Sequence, residues 1–273
     1  MEILLNELSL TGQFTDEDDF FNHFDSILKI IKLIEVLKFT IAKEYMFFDV
    51  AITSQYKLGD FLRLRTDRAR KMKRFLAKLA QYPPYWNELQ KHNCNNNSYY
   101  FNSKDVCATS LAESCERDRY ILSFRNKDFL VRSISIQKNS ENIELYNIIS
   151  KDDFLDNLLK SSIIEAKIYC QEKFKNSNLD FSLLKNKDGF GLLETTQQVN
   201  EFIDAFIEFS TMSWKNIISS DGLQYKKYNG NEFESLNVYK FRVTQKYRCF
   251  GYREDNIFFV LKFEIDHKMS DNG

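Results

Sequence analysis

The chain has 273 residues, enough for one large domain or two ordinary ones. Hydrophobic residues make up 43% and charged residues 28%, which excludes a disordered chain. A formal net charge of −1 excludes a global pull toward nucleic acid or an anionic membrane, so either partner has to be met by a local patch.

Only 8 Gly and 2 Pro punctuate the chain, against 25 Phe and 14 Tyr, a balance that favours helices joined by polar loops. Met1 to Asp25 holds seven acids and no Lys or Arg, the reverse of a positive leader region. No apolar run approaches the ~18 residues of a spanning helix; the best candidate, Leu28–Phe39, is interrupted by Lys29, Lys32, Glu35 and Lys38. The five cysteines, Cys94, Cys107, Cys115, Cys170 and Cys249, are scattered without a CxxC pair. Free thiols in a reducing cytoplasm are the expectation.

Glu2–Leu5 reads as an opening strand. Thr15 and Asp18 form a capping box before a helix over about 16–38, whose Phe20, Phe24, Ile27, Ile31 and Ile34 recur at helical spacing. A short strand is expected near Tyr45–Val50. Thr66 or Asp67 caps a second helix that runs to Tyr82 and stops at Pro83-Pro84. Residues 90–104 are Asn-rich and read as a loop, and Ala108–Asp118 reads as helical. Arg119–Phe124, Phe129–Gln137 and Ile143–Ile149 read as strands of a meander. Asp152–Phe174 has helical spacing, Leu179–Leu184 reads as a strand and Thr195–Ser220 as one long helix. Gln224–Tyr228, Val238–Val243, Tyr247–Tyr252 and Asn256–Ile265 are strand-like. The expected class is α+β: an α+β domain over 1–150, a helical connector over 151–178 and a second α+β domain over 179–273.

Two segments concentrate positive charge. Lys57–Lys78 carries nine Lys/Arg and two acids, and its Arg68, Arg70, Lys71 and Arg74 suit phosphate tracking on a helix. They suit an acidic protein surface equally. The acidic first 25 residues offer another use for this charge, by lying against it. Between Gly222 and Lys268 there are nine Lys/Arg and six acids. There Lys240, Arg242, Thr244, Lys246 and Arg248 alternate with Phe241, Val243, Gln245, Tyr247 and Cys249, which on a strand gives one basic and one largely apolar face. Polar-out alternation also serves any half-exposed sheet. Arg242, Arg248, Tyr252 and His267 would combine phosphate binding with an imidazole or phenol for proton transfer.

Other constellations are thinner. His92, Cys94, Cys107 and Cys115 have no zinc-knuckle spacing. Glu113, Glu116 and Asp118 offer paired carboxylates of the kind metal-dependent nucleases use. No phosphate loop, GxSxG elbow or HExxH is present, and no cofactor is expected.

Two resemblances follow from short motifs. Lys226-Lys227 with Gly230, Phe241-Arg242-Val243, Tyr247-Arg248 with Gly251-Tyr252, and an apolar strand ending in His267-Lys268 resemble the RelE/ParE class of toxin domains over about 179–268. That resemblance implies helices packed on a twisted antiparallel sheet, often used to cut mRNA without a metal. It makes Lys226 and Lys227 phosphate-binding, Arg242 and Arg248 transition-state-stabilising, and Tyr252 or His267 proton-transferring; Lys246, on the basic face, is a further nucleic-acid-binding candidate. Asn6–Phe14, Pro83–Trp86, Asp105–Glu113 and Ile121–Phe124 resemble a poorly characterised bacterial family found beside anti-phage genes. Together they imply a subunit of an anti-phage defence system that contacts nucleic acid, or a partner ATPase or nuclease, through its basic surfaces. The alternatives are a toxin-like effector that cleaves RNA and a metal-dependent nuclease. No membrane partner is expected.

Overall fold

Strand β1 (Glu2–Leu5) buries Ile3, Leu4 and Leu5 completely, as an interior strand must. The computed structural model describes residues 1–124, 127–233 and 236–270. Helix α1 (Glu17–Val36) starts one residue from the expected box: the Asp16 side chain accepts from Asp19 N–H, while Asp19 in turn accepts from Thr15. Glu17, Asp18 and Asp19 lie at the positive end of the helix. Its buried face carries Phe20 and Phe24, and Phe20 stands 4.4 Å from the Phe61 ring and 5.9 Å from Phe124.

Strand β2 (Thr40–Ala42) pairs parallel to β1 and lies earlier than the strand expected at Tyr45–Val50. That later stretch is a 3-10 turn at Phe47–Asp49, with Tyr45 and Met46 left exposed. Helix α2 (Asp67–Gln81) is capped by Thr66 and ends before Pro83-Pro84. The segment read as a loop contributes two short strands, β3 (Tyr99–Phe101) and β4 (Lys104–Asp105). Across it Cys94 and Cys107 form a disulfide, which corrects the expectation of five free thiols; Cys115, Cys170 and Cys249 are free and buried.

Helix α3 (Ser110–Cys115) precedes β5 (Tyr120–Leu122), β6 (Ser133–Lys138) and β7 (Glu141–Ile148). These are not a meander. β5 lies between β1 and β7 and is parallel to both, so the sheet order is β2-β1-β5-β7-β6-β3-β4, and only its β7-to-β4 half is antiparallel. Ile121 and Leu122 are buried, as suits a central parallel strand covered on both faces.

The expected helix over 152–174 is interrupted, giving α4 (Lys151–Lys160) and α5 (Ala166–Lys173). Contacts divide the chain into two compact units, Met1–Phe154 and Leu155–Gly273. In the second unit β8 (Leu179–Asp180) precedes α6 (Thr196–Thr211), which Thr195 and Gln198 close with a capping box. The long helix expected to reach Ser220 breaks at Met212-Ser213, because the Ser213 hydroxyl caps a new helix, α7 (Trp214–Ser219). Strands β9 (Lys226–Lys227), β10 (Val238–Arg242), β11 (Arg248–Glu254) and β12 (Ile257–Glu264) complete a mixed sheet of order β8-β12-β11-β10-β9. Phe202, Phe206 and Phe209 of α6 pack on its inner face; Phe202 stacks 4.2 Å from Phe263, and Phe209 lies 4.8 Å from Phe241. The fold is α+β, with seven helices and two mixed sheets among the described residues. No helix among those residues is long and apolar enough to cross a membrane.

Candidate nucleic-acid interface

The basic run of the first unit folds into a 3-10 turn, Leu58–Leu62, followed by α2. Leu58, Phe61 and Leu62 anchor the turn, while Ala69, Met72, Leu76 and Leu79 bury one side of α2. Helical geometry then puts Arg70, Lys71, Lys73 and Arg74 on the exposed side. Between turn and helix lies an open groove of about 710 Å³ lined by Leu62, Arg63, Leu64, Arg65, Arg70 and Lys73. Four of those six residues are cationic and none is acidic. Arg70 pairs with Asp67, and Arg63 lies at the long distance of 3.9 Å from Asp60. Arg65 and Lys73 make no ion pair among the described residues. Such a groove fits phosphates of a polyanion, whose binding to Lys and Arg releases condensed counterions.

The other predicted cations of α2 have separate fates. Arg68 turns onto α1, where it pairs with Asp25 at 2.9 Å and Asp18 at 3.8 Å, donates to Asn22 and lies over the Phe21 ring. The acidic N-terminal segment therefore takes up Arg68 and leaves the groove open. Lys71 and Arg74 are exposed outside the groove lining, Arg74 beside the Phe75 ring. Arg63, Arg65 and Lys73, beyond the four cations expected to track phosphates, also lie inside the nine-cation run.

In the second unit Arg242 and Arg248 are cross-strand partners of β10 and β11. Arg248 Nη1 donates to the carbonyls of Thr244, Gln245 and Tyr247 at 2.7, 3.2 and 2.9 Å, tying down its own hairpin turn. His267 Nε2 lies 2.8 Å from the same Gln245 carbonyl, and its Nδ1 lies 3.1 Å from Ser270 Oγ. Arg242 Nε is buried with no hydrogen-bond partner. Arg242, Arg248 and His267 are thus brought together around one turn. Tyr252 is not: it stacks on Phe259 at 5.0 Å, four residues along β11 from Arg248, about 13 Å at strand spacing. Lys226 faces Lys240 and Lys227 faces Tyr239, both at the exposed edge, and Lys246 is exposed in the turn.

The basic face is also less open than strict alternation implies. The alternation carries through the turn, with Arg242 opposite Arg248 and Lys240 opposite Phe250, so buried Phe250 stands on the same face as Arg242. Tyr228, Val238 and Phe250 form a second small apolar cluster there, with Phe233, Leu261 and Met269 packed against it.

The paired carboxylates separate as well. Glu113 is wholly buried and accepts from Lys91 N–H, His92 N–H, His92 Nδ1 and Arg117 Nε. Glu116 accepts from Tyr99 Oη at 2.7 Å and pairs with Lys138 at 2.6 Å, and Asp118 accepts from the Glu2 N–H. Among the described residues no three His, Cys, Asp or Glu side chains gather as metal ligands. No family model, no curated protein and no solved structure matches the chain.

Proposed function

We propose that this protein is a nucleic-acid-contacting subunit of a bacterial anti-phage defence assembly and that its α2 groove holds backbone phosphates. The observation that carries this reading is the groove itself: Arg63, Arg65, Arg70 and Lys73 around one concavity with no acid in its lining. The defence setting rests on the motif resemblance of Asn6–Phe14, Pro83–Trp86, Asp105–Glu113 and Ile121–Phe124. A partner ATPase or nuclease would supply the catalysis. Contacts to phosphates position a protein without reading sequence, so binding should be indifferent to base order and steep in salt.

A second reading, a toxin-like RNA-cleaving effector, is supported by the Arg242–Arg248 cross-strand pair. Like charges directly opposed on a strand pair are unfavourable, and Arg242 Nε lacks a partner. An anion held between them would relieve both.

One experiment addresses both readings. Binding of labelled single-stranded RNA and duplex DNA is followed by anisotropy over a salt series, with wild type and the double variant Arg65→Glu, Lys73→Glu. The variant should bind at least about tenfold more weakly, with a log–log salt slope shallower by about 2. Equal affinity and slope in the two proteins, or no binding by wild type, removes the groove reading. The same RNA is then run on a denaturing gel: fragments that vanish with Arg242→Ala support the effector reading, and intact RNA rejects it.

A further inference from the structure

Lys43, the residue after β2, is pinned through its backbone: its N–H donates to the Pro84 carbonyl, and its own carbonyl accepts from Trp86 N–H at 3.0 Å. Its side chain is buried, with 2% of the residue exposed. Nζ donates to the Tyr82 carbonyl, at the C-terminal end of α2, and lies 5.0 Å from the centre of the Tyr85 ring. Beside it is a cavity of about 200 Å³, whose walls include Phe39, Ile41, Leu79, Pro83 and Pro84. The other charged group in the lining is Lys78; no carboxylate lines the cavity. Its volume is that of roughly six or seven water molecules at about 30 Å³ each.

We infer that Lys43 is a nucleophilic amine and that this cavity takes a small apolar aldehyde or ketone, which Lys43 captures as an imine. Phe39, Ile41, Leu79 and the two prolines favour a neutral guest, and Lys43 is itself part of the lining. A neutral Lys43 still donates one N–H to the Tyr82 carbonyl and keeps its lone pair for attack. Burial, reinforced by the Lys78 ammonium, lowers Lys43 to about 8, so free base is available near neutral pH. The titratable neighbours are Lys78, its partner Glu35 at 2.6 Å on α1, the Tyr85 phenol and the adjacent Glu44.

The step balances without an oxidant. The Lys43 nitrogen forms a bond to the carbonyl carbon, and a proton passes from nitrogen to oxygen to give the carbinolamine. Lys78 then protonates the hydroxyl, water leaves as the C=N bond forms, and the iminium nitrogen returns a proton to Lys78. The competing role is a purely structural one: a charged Lys43 that caps the negative end of α2 and does not react.

The full chain is treated with butanal and cyanoborohydride at about pH 7 and mapped by peptide mass spectrometry. At equal pH the lowered amine holds roughly 300-fold more free base than an ordinary lysine. Even with restricted access, Lys43 should be alkylated at least about tenfold faster than exposed Lys71, Lys73 and Lys91. Lys43→Arg keeps a cationic donor for the Tyr82 carbonyl and should abolish this fast site. Lys43 left unmodified, or modified no faster than Lys71, overturns the inference. So does persistence of the fast site in Lys43→Arg.

Discussion

Glu113 shows how one side chain can hold several segments. Its carboxylate gathers Lys91 and His92 from the segment before β3 and Arg117 from the turn after α3, while Arg117 reaches on to Glu2 in β1 and to the Leu89 carbonyl. Burial alone would push this carboxyl up; the hydrogen bonds from His92, Arg117 and Lys91 outweigh it and hold Glu113 below the usual value. A carboxyl lowered in the folded state binds fewer protons than in the unfolded chain, so its stabilisation is full above the ordinary pKa of about 4.3 and is lost as pH falls through the folded value. Glu113→Gln removes one of the two carboxylates on the Arg117 guanidinium, leaving Glu2 and the Leu89 carbonyl, and should cost about 1.5–3 kcal/mol at neutral pH. Urea titrations over a pH series should show that difference shrinking under acid conditions; a difference constant down to low pH would contradict the assignment.

At the scale of elements, local signals were legible and non-local ones were not. The capping acids and 3.6-residue periodicity of α1 and α2 gave helices within two residues of those observed. The break between α6 and α7 was hidden because Ile217 keeps an apolar phase past the Ser213 cap. The parallel placement of β5 depends on β1, more than a hundred residues away, and no local pattern in Tyr120–Leu122 encodes that partner. The β11–β12 pairing also carries an irregularity that composition does not announce: the register slips between Phe250 and Gly251, so Leu261 is passed over. A Cβ on Gly251 would lie 2.3 Å from the Phe259 carbonyl oxygen and 2.6 Å from the Phe258 ring. Gly251→Ala should therefore cost about 1–3 kcal/mol. Gly222→Ala, whose new methyl meets nothing closer than 3.5 Å, should cost far less by thermal unfolding. Equal losses in the two variants would argue against crowding at the slip.

At the scale of the whole molecule, each unit has its own sheet and its own aromatic core. Fragments 1–160 and 151–273, which both retain α4, should each unfold cooperatively in urea; a gradual, non-cooperative curve from either would contradict the division. The candidate site was half legible at this scale. The nine-cation run was visible as a run, but which cations stay available was decided elsewhere: Arg68 is withdrawn by Asp18 and Asp25 of a different helix. Arg63 and Arg65 arrive from a non-periodic turn that carries no signature of its own. The groove also concentrates charge in one short stretch of the chain. Lys57–Lys78 carries +7 within a chain of −1, which leaves −8 spread over all the rest. Chromatography should betray this: the protein is expected to adhere to a cation-exchange resin near neutral pH despite its net negative charge, and Arg65→Glu, Lys73→Glu should elute at lower salt.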